Sequence, residues 1–178
     1  MLKTNIIVCA FFCSLTFGQQ YEINQHPNSN RFEFKNSIET ELFGHGLLYS
    51  VNYERLIFNT KKFKTLGQVG FAYYPKNTGI IPLWIPLSIN QLISFKSHHI
   101  EAGLGQVLIN DEMPDGKDNY RFFGSFKIGY RYQNPAGRFL MKIAFTPIID
   151  YGRVIIGDKT FYFPEFHPSG GLTLGYNF

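Results

Sequence analysis

The feature that most constrains this chain is a two-residue rhythm that recurs from residue 36 to the last residue. At the C-terminal end Leu172, Leu174, Tyr176 and Phe178 fall on one face of an extended chain, and Gly171, Thr173, Gly175 and Asn177 on the other. Successive side chains of a strand point to opposite faces, so this spacing belongs to β structure and excludes an amphipathic helix. The terminal residue is itself aromatic, where a soluble domain ordinarily frays into polar residues.

The same rhythm predicts seven earlier strands. Over residues 36–43 Ile38, Thr40 and Leu42 alternate with Ser37, Glu39 and Glu41. Gly44-His45-Gly46 reads as a tight turn whose glycines take positive φ. The return strand, to about residue 58, sets Leu47, Tyr49, Val51 and Tyr53 against Ser50, Asn52 and Glu54. A third carries Val69, Phe71 and Tyr73 and stops at Pro75. The fourth sets Leu83, Ile85, Leu87 and Ile89 against Pro86, Ser88 and Asn90, and is weakened by Pro82 and Pro86, each of which removes a ladder donor. The fifth, over 99–109, opposes Ile100, Ala102 and Leu104 to Glu101, Gly103 and Gly105. The sixth, over 120–132, opposes Phe126, Ile128, Tyr130 and Tyr132 to Ser125, Lys127, Gly129 and Arg131. The seventh, over 138–149, opposes Phe139, Met141, Ile143 and Phe145 to Leu140, Lys142, Ala144 and Thr146.

Strands of about ten residues match the length that a tilted strand needs to cross a hydrocarbon core. An even count returns both chain ends to one side. Connections on that side should be short, and those on the other free to be long. The segments 59–63, 94–98 and 133–137 are short, while those beginning at 75, 110 and 150 are longer; only the first, at Gly44, breaks the pattern. The acid-rich stretch 110–119 reads as a solvated loop. Within 150–167 an apolar run with Gly157-Asp158 at its centre reads as a hairpin projecting past the membrane, able either to bind a partner or to pack over the barrel mouth; joined to the wall, it would make ten strands.

Composition agrees with interleaving rather than long apolar runs. Aromatics are 17% of 178 residues, with Phe 19 and Tyr 11, yet the mean hydropathy is −0.11. A net charge of +4 spread along the chain, with no basic helix, leaves no nucleic-acid footprint. Residues 1–18 read as a signal peptide: Lys3, an apolar run over 6–12, and Thr16-Phe17-Gly18 at a cleavage point. That run is too short to span a bilayer as a helix. Both cysteines, Cys9 and Cys13, lie in this leader, so the processed chain has no thiol for a disulfide, a metal or catalysis. Residues 19–35 read as a polar periplasmic lead-in and 36–178 as the barrel.

A strand with one apolar and one polar face also suits a soluble periplasmic barrel with its apolar face inward. The polar faces here, however, mix Gly and Ser with a few charges, which suits the narrow interior of an eight-stranded barrel. The bulky faces then meet lipid, with Tyr53, Tyr73, Tyr132 and Tyr176 near the strand ends as interfacial girdles. The expectation is therefore an all-β, eight-stranded antiparallel transmembrane up-and-down β-barrel, closed by its last strand meeting its first. Its inward charges, Glu39, Glu41, Glu54 and Glu101 against Lys127, Arg131 and Lys142, read as an ion-pair network filling the lumen; a proton or ion path and catalytic carboxylates are the other readings. His98, His99 and Glu101 suggest a metal only superficially, since adjacent strand residues face opposite ways.

Residues 36–44 with 49–55, the 99–105 strand, Gly129-Tyr130-Arg131-Tyr132, Phe145-Thr146-Pro147 and the final Gly-Tyr-Asn-Phe resemble short, mostly uncharacterised outer-membrane β-barrel proteins of Gram-negative bacteria. The resemblance covers most of the chain after residue 35. It implies an outer-membrane location, contact with outer-membrane lipid, recognition of the C-terminal strand by barrel-assembly machinery, and an extracellular ligand for the loops as an open expectation. It brings no substrate, and no cofactor or metal is expected. Glu165, His167 and Ser169 separately resemble the His-x-Ser arrangement of outer-membrane lipid A deacylases, but Gly170-Gly171 stands where an asparagine would be sought. They make a lipid A or phospholipid modifying enzyme the alternative to a structural or loop-binding barrel.

Overall fold

The computed structural model describes residues 30–75, 79, 81–112, 118–156 and 159–178, with only the backbone described at 111–112, 118–119, 151–156 and 159–163. The signal-peptide reading and most of the lead-in lie outside these residues. Ten strands follow in order: β1 Asn36–Gly44, β2 Leu47–Asn59, β3 Phe63–Tyr73, β4 Leu83–Phe95, β5 His98–Glu112, β6 Asp118–Gln133, β7 Phe139–Phe145, β8 Ile148–Ile156, β9 Lys159–His167 and β10 Gly170–Asn177. Pairing is antiparallel throughout. β1 to β7 run side by side, β10 follows β7, and β10 returns to β1 with Ile38 opposite Tyr176 and Leu42 opposite Leu172. The wall is a closed barrel of eight staves, as alternation predicts, and closure pairs its backbone groups all round.

The ten-strand expectation resolves differently. β7 and β8 are one line of chain bent at Thr146-Pro147, and β9 and β10 are one line bent at Pro168-Ser169. Proline cannot donate to a ladder, and the break is bridged by the Thr146 amide donating to the Ser169 carbonyl at 2.8 Å. The β8–β9 hairpin, Ile148 opposite His167 to Ile156 opposite Lys159, thus prolongs the last two staves beyond the wall. It meets β6 only at Gly124 and Ser125. The hairpin reading of 150–167 therefore holds for the backbone, while its tip, 157–158, lies outside the described residues.

Other differences have equally local causes. The β5–β6 ladder reaches Glu112 opposite Asp118, so half of the stretch 110–119 expected as a loop is paired strand, and the other half, 113–117, lies outside the described residues. β4 extends to Phe95 and β5 begins at His98, so the connection expected over 94–98 shrinks to Lys96-Ser97. Pro86 is accommodated by a gap: the β3–β4 ladder passes from Val69–Leu87 to Ala72–Trp84 without pairing between them. In the first turn, positive φ falls on Phe43 (57°) and Leu47 (71°), not on the glycines. Gly44 and Gly46 are there for space, since an added Cβ would lie 2.3 Å from the Glu41 carboxylate and 2.6 Å from Ser50 Cβ respectively.

We call the end holding the C-terminus and the short turns the base, and the end bearing the long hairpins the top. The interior is layered. At the base Phe32, Leu56, Leu66 and Leu92 form one apolar cluster. At the top Ala72, Tyr74, Trp84, Val107, Ile109, Phe123 and Ile148 form another. The lead-in was expected to remain outside, but its end folds into the base. Asn59 clamps Phe32 from both sides, accepting from its amide at 3.3 Å and donating to its carbonyl at 3.0 Å. The Leu56 amide bonds to Lys35 and the Glu33 amide to Pro135. Phe32 ends only 3% exposed.

Candidate functional site

Between the two apolar layers lies a charged one, built by the inward positions of five staves. Glu39 comes from β1, Glu54 from β2, Glu101 from β5, Lys127 and Arg131 from β6, and Lys142 from β7; all are buried. Lys142 Nζ lies 2.8 Å from both Glu39 Oε1 and Glu54 Oε2. Arg131 Nη1 donates to Glu54 Oε1 at 2.6 Å, and its Nε donates to Gln133 Oε1 at 2.7 Å. Ser37 and Gln68 also donate to Glu39, at 3.1 and 3.4 Å. The amide oxygen of Gln68 in turn gathers Lys127 Nζ at 2.9 Å and Asn90 Nδ2 at 3.0 Å.

Glu101 is held differently. Neither carboxylate oxygen has a hydrogen-bond donor, yet Lys127, Arg131 and Lys142 stand 3.6, 3.9 and 3.9 Å away. It is stabilised by the field of three cations rather than by directed bonds. The seventh residue of the expected set does not join the others. Glu41 is buried nearer the top, and Ser50 Oγ donates to its carboxylate at 3.2 Å. Alternation assigns a residue to a face, whereas its depth along the stave decides which partners it can reach.

Alternation also leaves Lys64 unassigned, because it falls between the polar connection 59–63 and the third strand's alternating residues, Val69, Phe71 and Tyr73. In the structure Lys64 points inward and is fully buried. Its Nζ donates to Ser94 Oγ at 2.7 Å and sits 4.7 Å from the Phe32 ring centroid. Beyond Ser94 the donors can be followed. The Gln133 carbonyl, 3.0 Å from His99 Nε2, can only accept, so Nε2 carries the proton and Nδ1 accepts from Ser94 at 2.8 Å. Counting Lys64, the interior described here holds four carboxylates and four cations. A buried charge without a counter-charge costs several kcal/mol by rough estimate, and within the layer itself Glu39, Glu54 and Glu101 face Lys127, Arg131 and Lys142, three charges of each sign.

His45 is the remaining buried ionisable group near the top. The β6 ladder passes from Ser125–Ile148 to Ile128–Phe145, leaving Phe126 without a backbone partner on that side. His45, in the β1–β2 turn, hydrogen-bonds the Phe126 backbone, and its Nε2 has no partner. Burial, aided by the Lys127 ammonium, pushes its imidazole down to about 3.

The other sequence candidates are not brought together in this way. Glu165 and His167 are exposed on β9. Ser169 Oγ donates to the Gly44 carbonyl at 3.4 Å rather than to His167. His98 faces outward against Tyr130 and Tyr132, away from buried His99 and Glu101. In the charged layer, carboxylates and cations are engaged with one another. A cavity of about 10 Å³ walled in part by Phe32, Leu66, Arg131 and Gln133 is the space beside them, about enough for one water. Such an arrangement can hold the wall together and exclude solvent.

Fold and interior together define a class: a closed eight-stranded antiparallel β-barrel with an apolar exterior and a charge-balanced core. No protein-family model and no curated protein matches the sequence. Among solved structures, the crystal structure of the N-terminal β-barrel domain of Pseudomonas aeruginosa OprF is similar at 16% identity and a TM-score of 0.47, covering 82% of this chain and 100% of that one.

Proposed function

We propose that the protein is an integral outer-membrane β-barrel with a side-chain-filled lumen, acting structurally or by presenting its top hairpins to the exterior. The observation that carries this reading is the inversion of polarity across the wall. Ile38, Val51, Leu104, Ile128, Ile143 and Leu174 are each about half exposed or more on the outside, while the inside holds the ions. An apolar surface that continues around a barrel calls for a hydrocarbon solvent. Tyr53, Tyr132, Tyr176 and Phe139 ring the base, and Tyr49, Tyr73, Tyr120 and Phe122 lie toward the top, as interfacial girdles would. The base then faces the periplasm, where assembly machinery would meet the C-terminal strand.

The test is fractionation with gel mobility. Residence in the outer membrane after alkali washing, with faster migration of the unboiled protein, is the expected result. Recovery in the soluble periplasmic fraction would overturn the proposal in favour of a soluble barrel. A lipid-modifying role would need the Ser169 hydroxyl released from Gly44; lipid mass spectra that change with Ser169→Ala would establish it.

A further inference from the structure

The base rim carries a charge asymmetry that the barrel itself does not need. Lys61 and Lys62 occupy the β2–β3 turn and Lys96 the β4–β5 turn, all exposed. Arg31, Lys35, Arg55 and Arg138 extend the cationic band around the rim, and Glu33 is the one exposed side-chain carboxylate at that rim among the described residues. The three turn lysines converge on an open groove of about 510 Å³, completed by Asn30, Ser94 and Phe95. Phe63 and Phe95 lie at its outer margin, 45% and 55% exposed, paired with or next to Ile93 on the lipid-facing side of β3 and β4.

Lys96 occupies the β4–β5 turn. It sits at φ 59°, the left-handed conformation that a two-residue hairpin turn demands and that glycine adopts at less cost. Its ammonium completes the groove from the second turn.

We propose that this groove binds the phosphate headgroup of an anionic phospholipid in the leaflet facing the base, Lys61, Lys62 and Lys96 holding the phosphate while the acyl chains lie along Phe63 and Phe95. The inference rests on the membrane reading above. Charge complementarity selects the headgroup, and the adjoining apolar margin selects a lipid over a soluble anion. Each ammonium near an anionic surface contributes about 1 kcal/mol, or about fivefold in affinity, and the attraction weakens with salt.

The test reconstitutes the full chain in phosphatidylcholine vesicles and in mixed phosphatidylcholine–phosphatidylglycerol vesicles, and measures by native mass spectrometry the lipid retained after extraction. Selective retention of phosphatidylglycerol is expected, falling about fivefold for each lysine replaced in the series ending at Lys61→Gln/Lys62→Gln/Lys96→Gln. Lys96→Gly should lower retention while leaving unfolding stability equal or higher, which separates lost binding from lost folding. Equal retention by wild type and the triple variant would overturn the proposal. So would displacement of the lipid by inorganic phosphate at equal concentration, which would assign the groove to a free anion, or retention of an acidic protein in place of lipid. Failure to insert into either vesicle would instead overturn the membrane reading.

Discussion

Lys142→Met is the sharpest probe of the charged layer. The substitution keeps an unbranched side chain but removes the ammonium that lies 2.8 Å from both Glu39 and Glu54. The interior changes from four charges of each sign to four carboxylates against three cations. Glu54 keeps Arg131 at 2.6 Å, but Glu39 is left with only Ser37 and Gln68. Breaking a buried pair from one side costs about 3–5 kcal/mol, because the orphaned charge stays in a poor solvent. Replacing both partners removes that penalty. Glu39→Gln/Lys142→Met should therefore recover most of the loss, with a coupling of about 2–4 kcal/mol in the double-mutant cycle. Glu41→Gln, whose counterpart is a single hydroxyl, should cost about 1 kcal/mol. Urea unfolding in lipid vesicles can be followed through Trp84, the sole tryptophan. It is buried in the top cluster, and its indole N–H donates to the Ile81 carbonyl at 2.9 Å. A loss below about 1 kcal/mol for Lys142→Met, or a double variant as unstable as the single one, would refute an electrostatically closed interior.

Three further outcomes follow from the same geometry. Leu174→Arg, at a position 59% exposed on the outward face, should cost about 2–4 kcal/mol in vesicle unfolding if it lies near the bilayer midplane. Phe32→Ala should cost about 3 kcal/mol by emptying the base cluster, while conductance in planar bilayers stays at baseline because the top cluster remains. Between about pH 3 and pH 6.5 the unfolded chain binds a proton at His45 that the folded barrel refuses, so stability rises with pH across this window by about 1.4 kcal/mol per pH unit from this group. His45→Gln should remove that contribution, and an unchanged slope in pH-dependent unfolding would place the imidazole in water.

The wall was legible in the sequence because its rule is local. Each residue such as Leu174 or Lys142 takes its face from its parity along the strand, and an apolar exterior against a polar interior keeps that parity strict. The ends were less legible. At Val107-Leu108-Ile109 both faces are apolar, so polarity no longer marks the inner face, and only parity carried on from Glu101 puts Val107 and Ile109 inside, where they pack with Trp84. Phe32 stands in a polar segment without periodicity, and only the mouth that it enters gives it a partner. Lys64 fell between the polar connection and the alternating residues of the third strand, though its spacing of two from inward Leu66 carried the information. Glu41 shows the remaining gap: parity placed it inside, but only the register between staves sets it beside Ser50 instead of Lys142.

The interior charges are also sorted along the chain. The acids Glu39, Glu41, Glu54 and Glu101 all precede residue 102, with only Lys64 among them, whereas Lys127, Arg131 and Lys142 all follow it. A sheet assembled only through β5 would hold four carboxylates and one cation, and the hairpin of β6 and β7 alone would hold three unmatched cations. Neither half is a comfortable stopping point in a poor solvent. Neutrality arrives only when the late strands swing round to the early ones, so the charges discriminate against half-built barrels and make completion of the ring a cooperative event.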